Sequence, residues 1–251
     1  MKEAISIREA RTRGGLRLVL LAGLPSPWSQ AAKGLFEIEG VPYVPVHKAS
    51  DDAGDALEAW TGQTSYPAAM YEDEPARTGW AEILLLAERL APAPRLLPKD
   101  AAERARLFGY AHEICGEMGL GWCRRLVSVE AGMQADPPNP VSVWLGRKYG
   151  YREDSIAQAH ERIPAILRAL DALLAASGGE YLLGDLSALD VYWATFCNLV
   201  APLPDEQLAL PRGIRPMFTA TDRPTLDALS PALLALRDRV YERHLRLPVE
   251  L

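Results

Sequence analysis

The chain has 251 residues, of which 49% are hydrophobic and 24% are charged, and its net charge at pH 7 is −6. This length suits two domains, since a domain usually holds roughly 100–200 residues, and the composition supports a folded core rather than disorder. The acidic balance argues against nucleic acid or an anionic membrane as the main partner. No apolar run approaches the roughly 20 residues of a membrane helix, so we expect no membrane span.

The cysteines and the first residues indicate the compartment. Cys115, Cys123 and Cys197 are an odd number without a CxxC pair, which favours free thiols in a reducing compartment over a disulfide framework. We therefore expect a cytoplasmic protein. Residues 1–15 are basic but lack the apolar run of a signal peptide, and we expect them to form a mobile N-terminal extension.

The first third of the chain alternates between strand and helix patterns. Short apolar or alternating runs indicate the strands, and apolar residues three and four apart indicate the helices. In chain order we predict a strand at 16–23, a helix at 29–39, a strand at 41–47, a helix at 51–60, a hairpin with a weak second arm at 66–77 and a helix at 78–90. The order is β-α-β-α-β-β-α, which gives a mixed α/β domain over residues 16–90.

The rest of the chain has helical periodicity almost throughout. It follows a proline-rich stretch, residues 91–98, which predicts a stiff linker and a domain boundary. In residues 99–251 we predict helices at about 101–129, at 154–176, from Ser187 onward and at 231–244, with a Pro/Asn-rich break at 136–140. Ser155 and Gln158 have the spacing of a capping box at the start of the second of these helices. The second domain is therefore expected to be all-α.

Three separated motifs point to a family. Residues 25–30, Pro-Ser-Pro-Trp-Ser-Gln, join the first strand to the first helix; Tyr66-Pro67 opens the third strand; and residues 184–190, Gly-Asp-Leu-Ser-Ala-Leu-Asp, start a helix with a Ser-x-x-Asp capping box. Together they resemble the cytosolic glutathione transferase family, over residues 16–90 by motif and about 100–201 by pattern. The resemblance implies a thioredoxin-like domain followed by an all-α helical bundle domain, a cytoplasmic homodimer, and glutathione as a substrate without a metal.

The resemblance places Ser26 where this family carries its catalytic Ser or Cys. A free thiol has a pKa near 8.5, so a hydroxyl that donates a hydrogen bond to the sulfur, aided by a helix N-terminus, favours the thiolate. Ser in place of Cys favours transfer or addition over disulfide chemistry. A turn or helix-capping role is the structural alternative for Ser26. Ser29 is a competing hydroxyl, which we expect to cap the helix instead.

Five further residues are implied to bind glutathione: Trp28, Tyr66, Pro67, Thr78 and Gly79. In this fold the Tyr66-Pro67 bond is cis and the Tyr66 backbone pairs with a peptide-like ligand; a trans proline at a strand start is the alternative. Thr78-Gly79 stands where family members generally have an acidic residue or Gln followed by Ser. The helix amides remain for a ligand carboxylate, whereas a hydroxyl and an anion are missing. Glu82 either replaces them or faces solvent.

The helical domain is expected to complete a cleft for a second substrate, an apolar electrophile, with Tyr110, Glu113 and Trp122 facing it. Core packing with a kink near the glycines is the alternative. His112, Glu113, Cys115 and Glu117 lack the HExxH spacing and point in different directions around a helix, so we expect no metal site there. Two basic pairs, Arg124-Arg125 and Arg147-Lys148, are interpreted as solvated helix faces.

Three functions are compatible with these residues. The first is a glutathione transferase-like enzyme in which Ser26 activates the glutathione thiol. The second is a non-catalytic binding or scaffold protein of the same fold that has lost ordinary glutathione binding, as Gly79 suggests. The third is a glutathione-dependent lyase or isomerase, since one fold can support several reactions.

Overall fold

The computed structural model of the protein describes residues 3–50, 52–91 and 93–251. Within these ranges the chain forms three strands and twelve helices. The strands are β1 (Leu16–Val19), β2 (Val44–Val46) and β3 (Ala68–Tyr71). The helices are α1 (Ile7–Ala10), α2 (Pro27–Ile38), α3 (Ala56–Thr61), α4 (Trp80–Leu90), α5 (Ala101–Cys115), α6 (Leu120–Gln134), α7 (Pro140–Tyr149), α8 (Glu153–Ala176), α9 (Ala188–Cys197), α10 (Arg215–Phe218), α11 (Arg223–Ala228) and α12 (Pro231–His244).

The sheet has the order β2-β1-β3. Strand β1 pairs in parallel with β2, where Leu18 lies opposite Pro45, and antiparallel with β3, where Leu18 lies opposite Ala69. The weak second arm of the predicted hairpin is a single antiparallel bridge, in which Ala69 and Arg77 exchange backbone hydrogen bonds of 2.8 and 2.9 Å. The predicted βαβαββα order is thus present, with its last strand reduced to one residue pair.

Helices cover both faces of this sheet. Leu16 and Leu18 of β1 belong to the main hydrophobic core with residues of α2 and α4. Val19 belongs to a smaller cluster with Ile7 of α1 and Leu57 of α3. Because successive side chains of a strand point to opposite faces, β1 divides its apolar residues between the two clusters. All four of its residues are buried.

The prediction of a mobile extension at residues 1–15 is wrong for residues 5–10, which pack against the fold, and residues 1 and 2 lie outside the described ranges. Ile5 forms a parallel bridge with Val46 on the far side of β2, and Ile7 is fully buried. The Asp52 carboxylate accepts hydrogen bonds from the backbone N–H groups of Ile7 and Arg8 at 3.1 and 3.0 Å. These partners are about 45 residues away in sequence, which is why a local pattern did not reveal them.

The single helix predicted at 101–129 is two helices, α5 and α6, separated at residues 116–119. Met118 has a φ of 54°. A Cβ at Gly119 would lie 2.7 Å from the carbonyl oxygens of His112 and Glu113, so the turn requires glycine there. Helix α7 is an addition to the prediction: it follows the predicted break at 136–140, where the Asn139 side chain accepts from the first-turn amides of α7.

The predicted starts of the later helices hold, with one change in capping. Ser155 lies inside α8, where its hydroxyl oxygen accepts from the backbone N–H of Arg152 at 2.8 Å, so the capping box predicted from Ser155 to Gln158 is wrong. The predicted box at α9 is present: the fully buried Asp190 carboxylate accepts from the backbone N–H and the hydroxyl of Ser187, both at 2.9 Å, and from the backbone N–H of Leu182 at 2.8 Å. Every residue of α9 is buried.

The linker is fixed between the two predicted domains. Pro92 lies outside the described residues. The Glu88 carboxylate accepts from the backbone N–H groups of Leu96 and Leu97 at 2.6 and 2.7 Å, and the Leu96 carbonyl accepts from Ala188 N–H at 2.9 Å. The main hydrophobic core contains residues from both sides of this linker. In the described part of the chain, no helix is both long enough and apolar enough to cross a membrane.

Candidate functional site

A cavity of about 750 Å³ lies between the mixed α/β region and the helical region. One wall is made by the β1–α2 turn, the turn before β3 and the start of α4. The opposite wall is made by the α5–α6 turn and by residues of α6, α7, α9 and α10. These two walls are called the N-terminal wall and the helical wall below.

Seven of the predicted site residues line this cavity, and two do not. Those that line it are Ser26, Trp28, Tyr66, Pro67, Thr78, Gly79 and Trp122. The predictions for Tyr110 and Glu113 are wrong: Tyr110 packs against the core, and the Glu113 carboxylate binds the Arg162 guanidinium at 2.6 Å. On α5 the residues that reach the cavity are His112 and Cys115, which lie three residues apart on one face of the helix, and Tyr110 and Glu113 lie on other faces.

Ser26 is the N-cap residue of α2. It is only 6% exposed, and its side chain makes no capping hydrogen bond to the helix. Pro27 occupies the first helical position, where a missing N–H costs nothing. The Ser26 hydroxyl therefore lies at the positive end of a helix with its hydrogen available to a ligand in the cavity.

Ser29 lies on the other side of α2, where it lines a separate cavity of about 570 Å³. Its hydroxyl oxygen accepts from the backbone N–H of Leu21 at 3.4 Å. The predicted capping role of Ser29 is therefore wrong, because the hydroxyl contacts the chain after β1 rather than the helix end. Of the two competing hydroxyls, that of Ser26 faces the interdomain cavity.

Trp28 connects the β1–α2 turn to the helical region. Its indole N–H donates to the carbonyl of Cys115 at 2.9 Å, and its ring meets Phe196 edge-on with centroids 4.8 Å apart. A Cβ at Gly121 would lie 2.5 Å from the Phe196 ring and 2.9 Å from Trp28, so glycine permits this packing. Trp28 both lines the cavity and fixes the Ser26 turn against α5 and α9.

The turn before β3 presents backbone groups to the cavity. The Tyr66-Pro67 bond is cis, as the resemblance implied. The Gln63 side-chain amide donates to the carbonyls of Ser65 and Pro67 at 2.9 and 3.1 Å, which fixes the turn. Among the described residues, the Tyr66 N–H donates to no backbone carbonyl, and the Tyr66 carbonyl accepts from no backbone N–H. These two groups are available to an extended ligand.

Glu82 occupies the amides at the start of α4. One of its carboxylate oxygens accepts from the backbone N–H groups of Thr78 and Gly79, each at 3.1 Å. A carboxylate in this position neutralises the free amides and the positive end of the helix. Of the two alternatives left open by the sequence, the structure shows an exposed Glu82 whose carboxylate caps the start of its own helix and does not line the cavity.

The helical wall carries two cations that the sequence analysis placed on solvated faces: Arg125, which is half-buried, and Lys148, which is exposed as predicted. The Arg125 guanidinium carbon lies 5.2 Å from the centre of the Phe218 ring, and the Lys148 ammonium lies 5.6 Å from the Trp144 ring and 5.9 Å from the Tyr149 ring. Both residues line the cavity. Burial lowers the pKa of Arg125 and, with help from Arg125, that of Lys148.

The acidic and sulfur-containing cluster on α5 is dispersed. His112 and Glu117 line the cavity, Glu113 pairs with Arg162, and Cys115 is buried, which raises the pKa of its thiol. Among the described residues, no group of three or more His, Cys, Asp and Glu side chains converges as metal ligands would. All three cysteines are buried and unpaired, as predicted.

Comparison of the fold finds glutathione transferases among solved structures. One from Methylobacterium radiotolerans, in complex with glutathione sulfonate, is 19% identical with a TM-score of 0.61, covering 90% of this chain and 91% of its own. A family member from Pseudomonas fluorescens with two glutathione molecules bound is 14% identical with a TM-score of 0.65, covering 96% of each chain. A zeta-class maleyl pyruvate isomerase is 20% identical with a TM-score of 0.52, covering 88% of this chain and 95% of its own.

Sequence comparison adds nothing to this likeness. No family model matches the chain, and no curated protein matches it. The chain therefore has the glutathione transferase fold, a thioredoxin-like domain followed by a helical domain.

Proposed function

We propose that this protein is a glutathione-dependent transferase in which Ser26 activates the bound thiol. The observation that carries the proposal is the uncapped Ser26 hydroxyl, which lies at the N-terminus of α2 and faces the interdomain cavity. The free backbone groups of Tyr66, on the same wall, suit a tripeptide laid out in extended form. Glutathione and its sulfonate occupy two of the solved structures that share this fold.

The proposed chemistry needs few groups. Ser26 donates a hydrogen bond to the glutathione sulfur, which with the positive end of α2 stabilises the thiolate as the thiol proton leaves to solvent. The sulfur then attacks the electrophilic carbon of a substrate held on the helical wall, and the leaving group departs with the electrons of its bond. One hydrogen bond to the reacting anion is worth about a hundredfold in rate.

Glu82 sets the strength of glutathione binding in this proposal. The γ-glutamyl carboxylate of the ligand needs the Thr78 and Gly79 amides that Glu82 now occupies at 3.1 Å. Binding therefore requires displacement of the Glu82 side chain, which weakens the affinity. The same observation favours the second candidate function, a non-catalytic binding protein of this fold that no longer binds glutathione.

Calorimetric titration and turnover distinguish these candidates. Wild type, Ser26→Ala and the neighbouring control Ser29→Ala are titrated with millimolar glutathione and assayed with 1-chloro-2,4-dinitrobenzene. We expect Ser26→Ala to bind glutathione but to lose about a hundredfold in turnover, with a raised pKa of the bound thiol read from thiolate absorbance. Ser29→Ala should retain both activities, because that hydroxyl lies outside the interdomain cavity.

Two outcomes contradict the proposal in different ways. No heat from wild type at millimolar glutathione leaves the non-catalytic candidate. Full turnover by Ser26→Ala removes the role of Ser26 while leaving glutathione use intact. If glutathione binds but no thioether forms with simple electrophiles, an isomerase or lyase reaction is the proposal to test next, as in the zeta-class isomerase that shares the fold.

A further inference from the structure

We propose that the helical wall binds an aromatic anion, with Arg125 and Lys148 recognising the negative group and the surrounding rings recognising the aromatic body. This inference names the class of second substrate for the proposed function. It depends on the interdomain cavity but not on the thiol chemistry, so the two can fail separately.

Arg125 is the first observation. It extends from α6 into the cavity, where its guanidinium contacts the Phe218 ring at 5.2 Å and approaches the Tyr149 hydroxyl. Among the described residues it forms no ion pair with a carboxylate. Arg125 is half-buried; a guanidinium partly withdrawn from water without an acidic partner loses hydration, and a bound anion would compensate for that loss.

Lys148 is the second observation, and it comes from a different helix. Its ammonium lies over the Trp144 and Tyr149 rings, and within the described residues it too has no ion pair. Trp144 is 61% exposed and Val141 is 60% exposed, although both line the cavity. Helix α7 therefore presents a cation and uncovered apolar surface together at the cavity wall, and a ligand with both an anion and a ring would cover both.

The charged residues next to Arg125 and Lys148 in sequence do not line the cavity. Arg124 donates to the Leu199 carbonyl at 2.8 Å and takes no part in the cavity, and Arg147 does not line it. Glu117 is the one carboxylate among the described lining residues, and it pairs with neither cation. Of the two basic pairs in the sequence, one residue of each therefore faces the same cavity.

The ligand chemistry follows from these contacts. A guanidinium binds a carboxylate or sulfonate through parallel hydrogen bonds, and its face stacks on aromatic rings. Trp122 and Tyr149, whose rings meet edge-on with centroids 4.9 Å apart, extend the aromatic surface beside Arg125. A small inorganic anion would leave these rings uncovered, and a neutral aromatic molecule would leave the two cations unpaired. An aryl carboxylate or aryl sulfonate satisfies both.

Fluorescence titration without glutathione tests the proposal. The probes are 8-anilinonaphthalene-1-sulfonate and its neutral counterpart N-phenyl-1-naphthylamine, and the variants are Arg125→Met and Lys148→Met. Arg168→Met is the matched control, since Arg168 is exposed on α8 away from the cavity. We expect Arg125→Met to weaken sulfonate binding about tenfold or more and Lys148→Met about threefold, with less than a twofold change for the neutral probe.

Several results would overturn the inference. Equal weakening of both probes would show that Arg125 and Lys148 only shape an apolar pocket. Sulfonate binding unchanged in both variants, or weakened as much in Arg168→Met, would remove the site. If Arg125→Met does not fold, Arg125→Lys and Lys148→Met test the inference instead. Arg125→Lys must retain most of the affinity for the sulfonate, and Lys148→Met must lose affinity for the sulfonate but not for the neutral probe.

Discussion

The two walls of the interdomain cavity use different parts of the chain. The N-terminal wall offers a hydroxyl at Ser26 and backbone groups at Tyr66, Thr78 and Gly79, all of which are placed by turns at the ends of strands and helices. The helical wall offers large aromatic side chains and two cations, Arg125 from α6 and Lys148 from α7. Backbone groups suit a ligand of constant peptide shape, whereas side chains suit a partner that differs between proteins.

The buried acidic side chains of the two regions also differ, in whether hydrogen-bond donors surround them. Asp190, in the helical region, is fully buried and accepts three hydrogen bonds, and burial raises its pKa to about 6. Glu39, at the end of α2, is 4% exposed, and among the described residues neither of its oxygens has a hydrogen-bond donor. Burial, together with the nearby Glu88 carboxylate, raises the pKa of Glu39 to about 8. Hydrogen-bond donors therefore stabilise the buried acid of the helical region, whereas burial without donors favours the protonated form of Glu39.

The largest expected effect is on the helical region. Asp190→Ala leaves the backbone N–H groups of Leu182 and Ser187 buried without an acceptor, and should lower the free energy of unfolding by about 3–5 kcal/mol. Asp190→Asn retains one acceptor oxygen and should lose less. Urea unfolding followed by circular dichroism measures both. A loss below about 1 kcal/mol in Asp190→Ala would show that the three hydrogen bonds do not stabilise α9.

The second effect is pH-dependent. Folded Glu39 keeps its proton up to about pH 8, whereas in the unfolded chain it loses it near its usual 4.5, so its stabilising contribution is complete below 4.5 and is lost as the pH rises towards 8. Gln cannot lose a proton. Relative to wild type, Glu39→Gln should therefore gain on the order of 1–2 kcal/mol between pH 6.5 and 9.

Thermal unfolding between pH 6.5 and 9 measures this change. Because pH 6.5 lies above the pKa of Asp190, the titration of Asp190 contributes little in this range. Glu161→Gln, an exposed change on α8, serves as the control. Parallel pH profiles for wild type and Glu39→Gln would show that Glu39 is already ionised at pH 6.5.

The third effect concerns the contact between the walls. Trp28→Phe removes the indole hydrogen bond to the Cys115 carbonyl while keeping an aromatic ring, and should lower the free energy of unfolding by about 1–2 kcal/mol. It should also lower turnover more than glutathione affinity, because the turn that carries Ser26 loses its anchor on α5. Urea unfolding measures the change in stability, and steady-state kinetics measures turnover and glutathione affinity. If none of these quantities changes in Trp28→Phe, the indole hydrogen bond is dispensable.

The smallest effect distinguishes two roles of Glu82. Removing its charge in Glu82→Gln weakens its hold on the Thr78 and Gly79 amides, and should strengthen glutathione binding about threefold to tenfold in calorimetry. Glu103→Gln, in the first turn of α5 and outside the cavity, is the control. Weaker binding in Glu82→Gln would mean that its carboxylate instead meets the ammonium of the ligand.

Local patterns predicted much of the N-terminal wall. Turns and helix starts depend on short segments, and the family resemblance that these segments carry placed Ser26, Tyr66-Pro67 and the start of α4 in the site. The same reasoning left the role of Glu82 open, and the structure shows its carboxylate on the Thr78 and Gly79 amides, where capping by a side chain from the next turn competes with a ligand. It also chose the wrong residues on α5, since tertiary packing decides which face of this helix, that of His112 and Cys115, meets the cavity.

The sequence by itself determined the division into an α/β and a helical region and the Ser187–Asp190 cap, because each depends on residues close together in the chain, whereas the cis Tyr66-Pro67 bond was implied only by the family resemblance. Tertiary structure alone decided that Ile5 pairs with the edge of β2, that Ser26 rather than Ser29 faces the cavity, and that Arg125 and Lys148 lie on the same wall of it. Those contacts join distant segments, and a charged residue on a helix is the same in sequence whether its helix face meets water or a cavity.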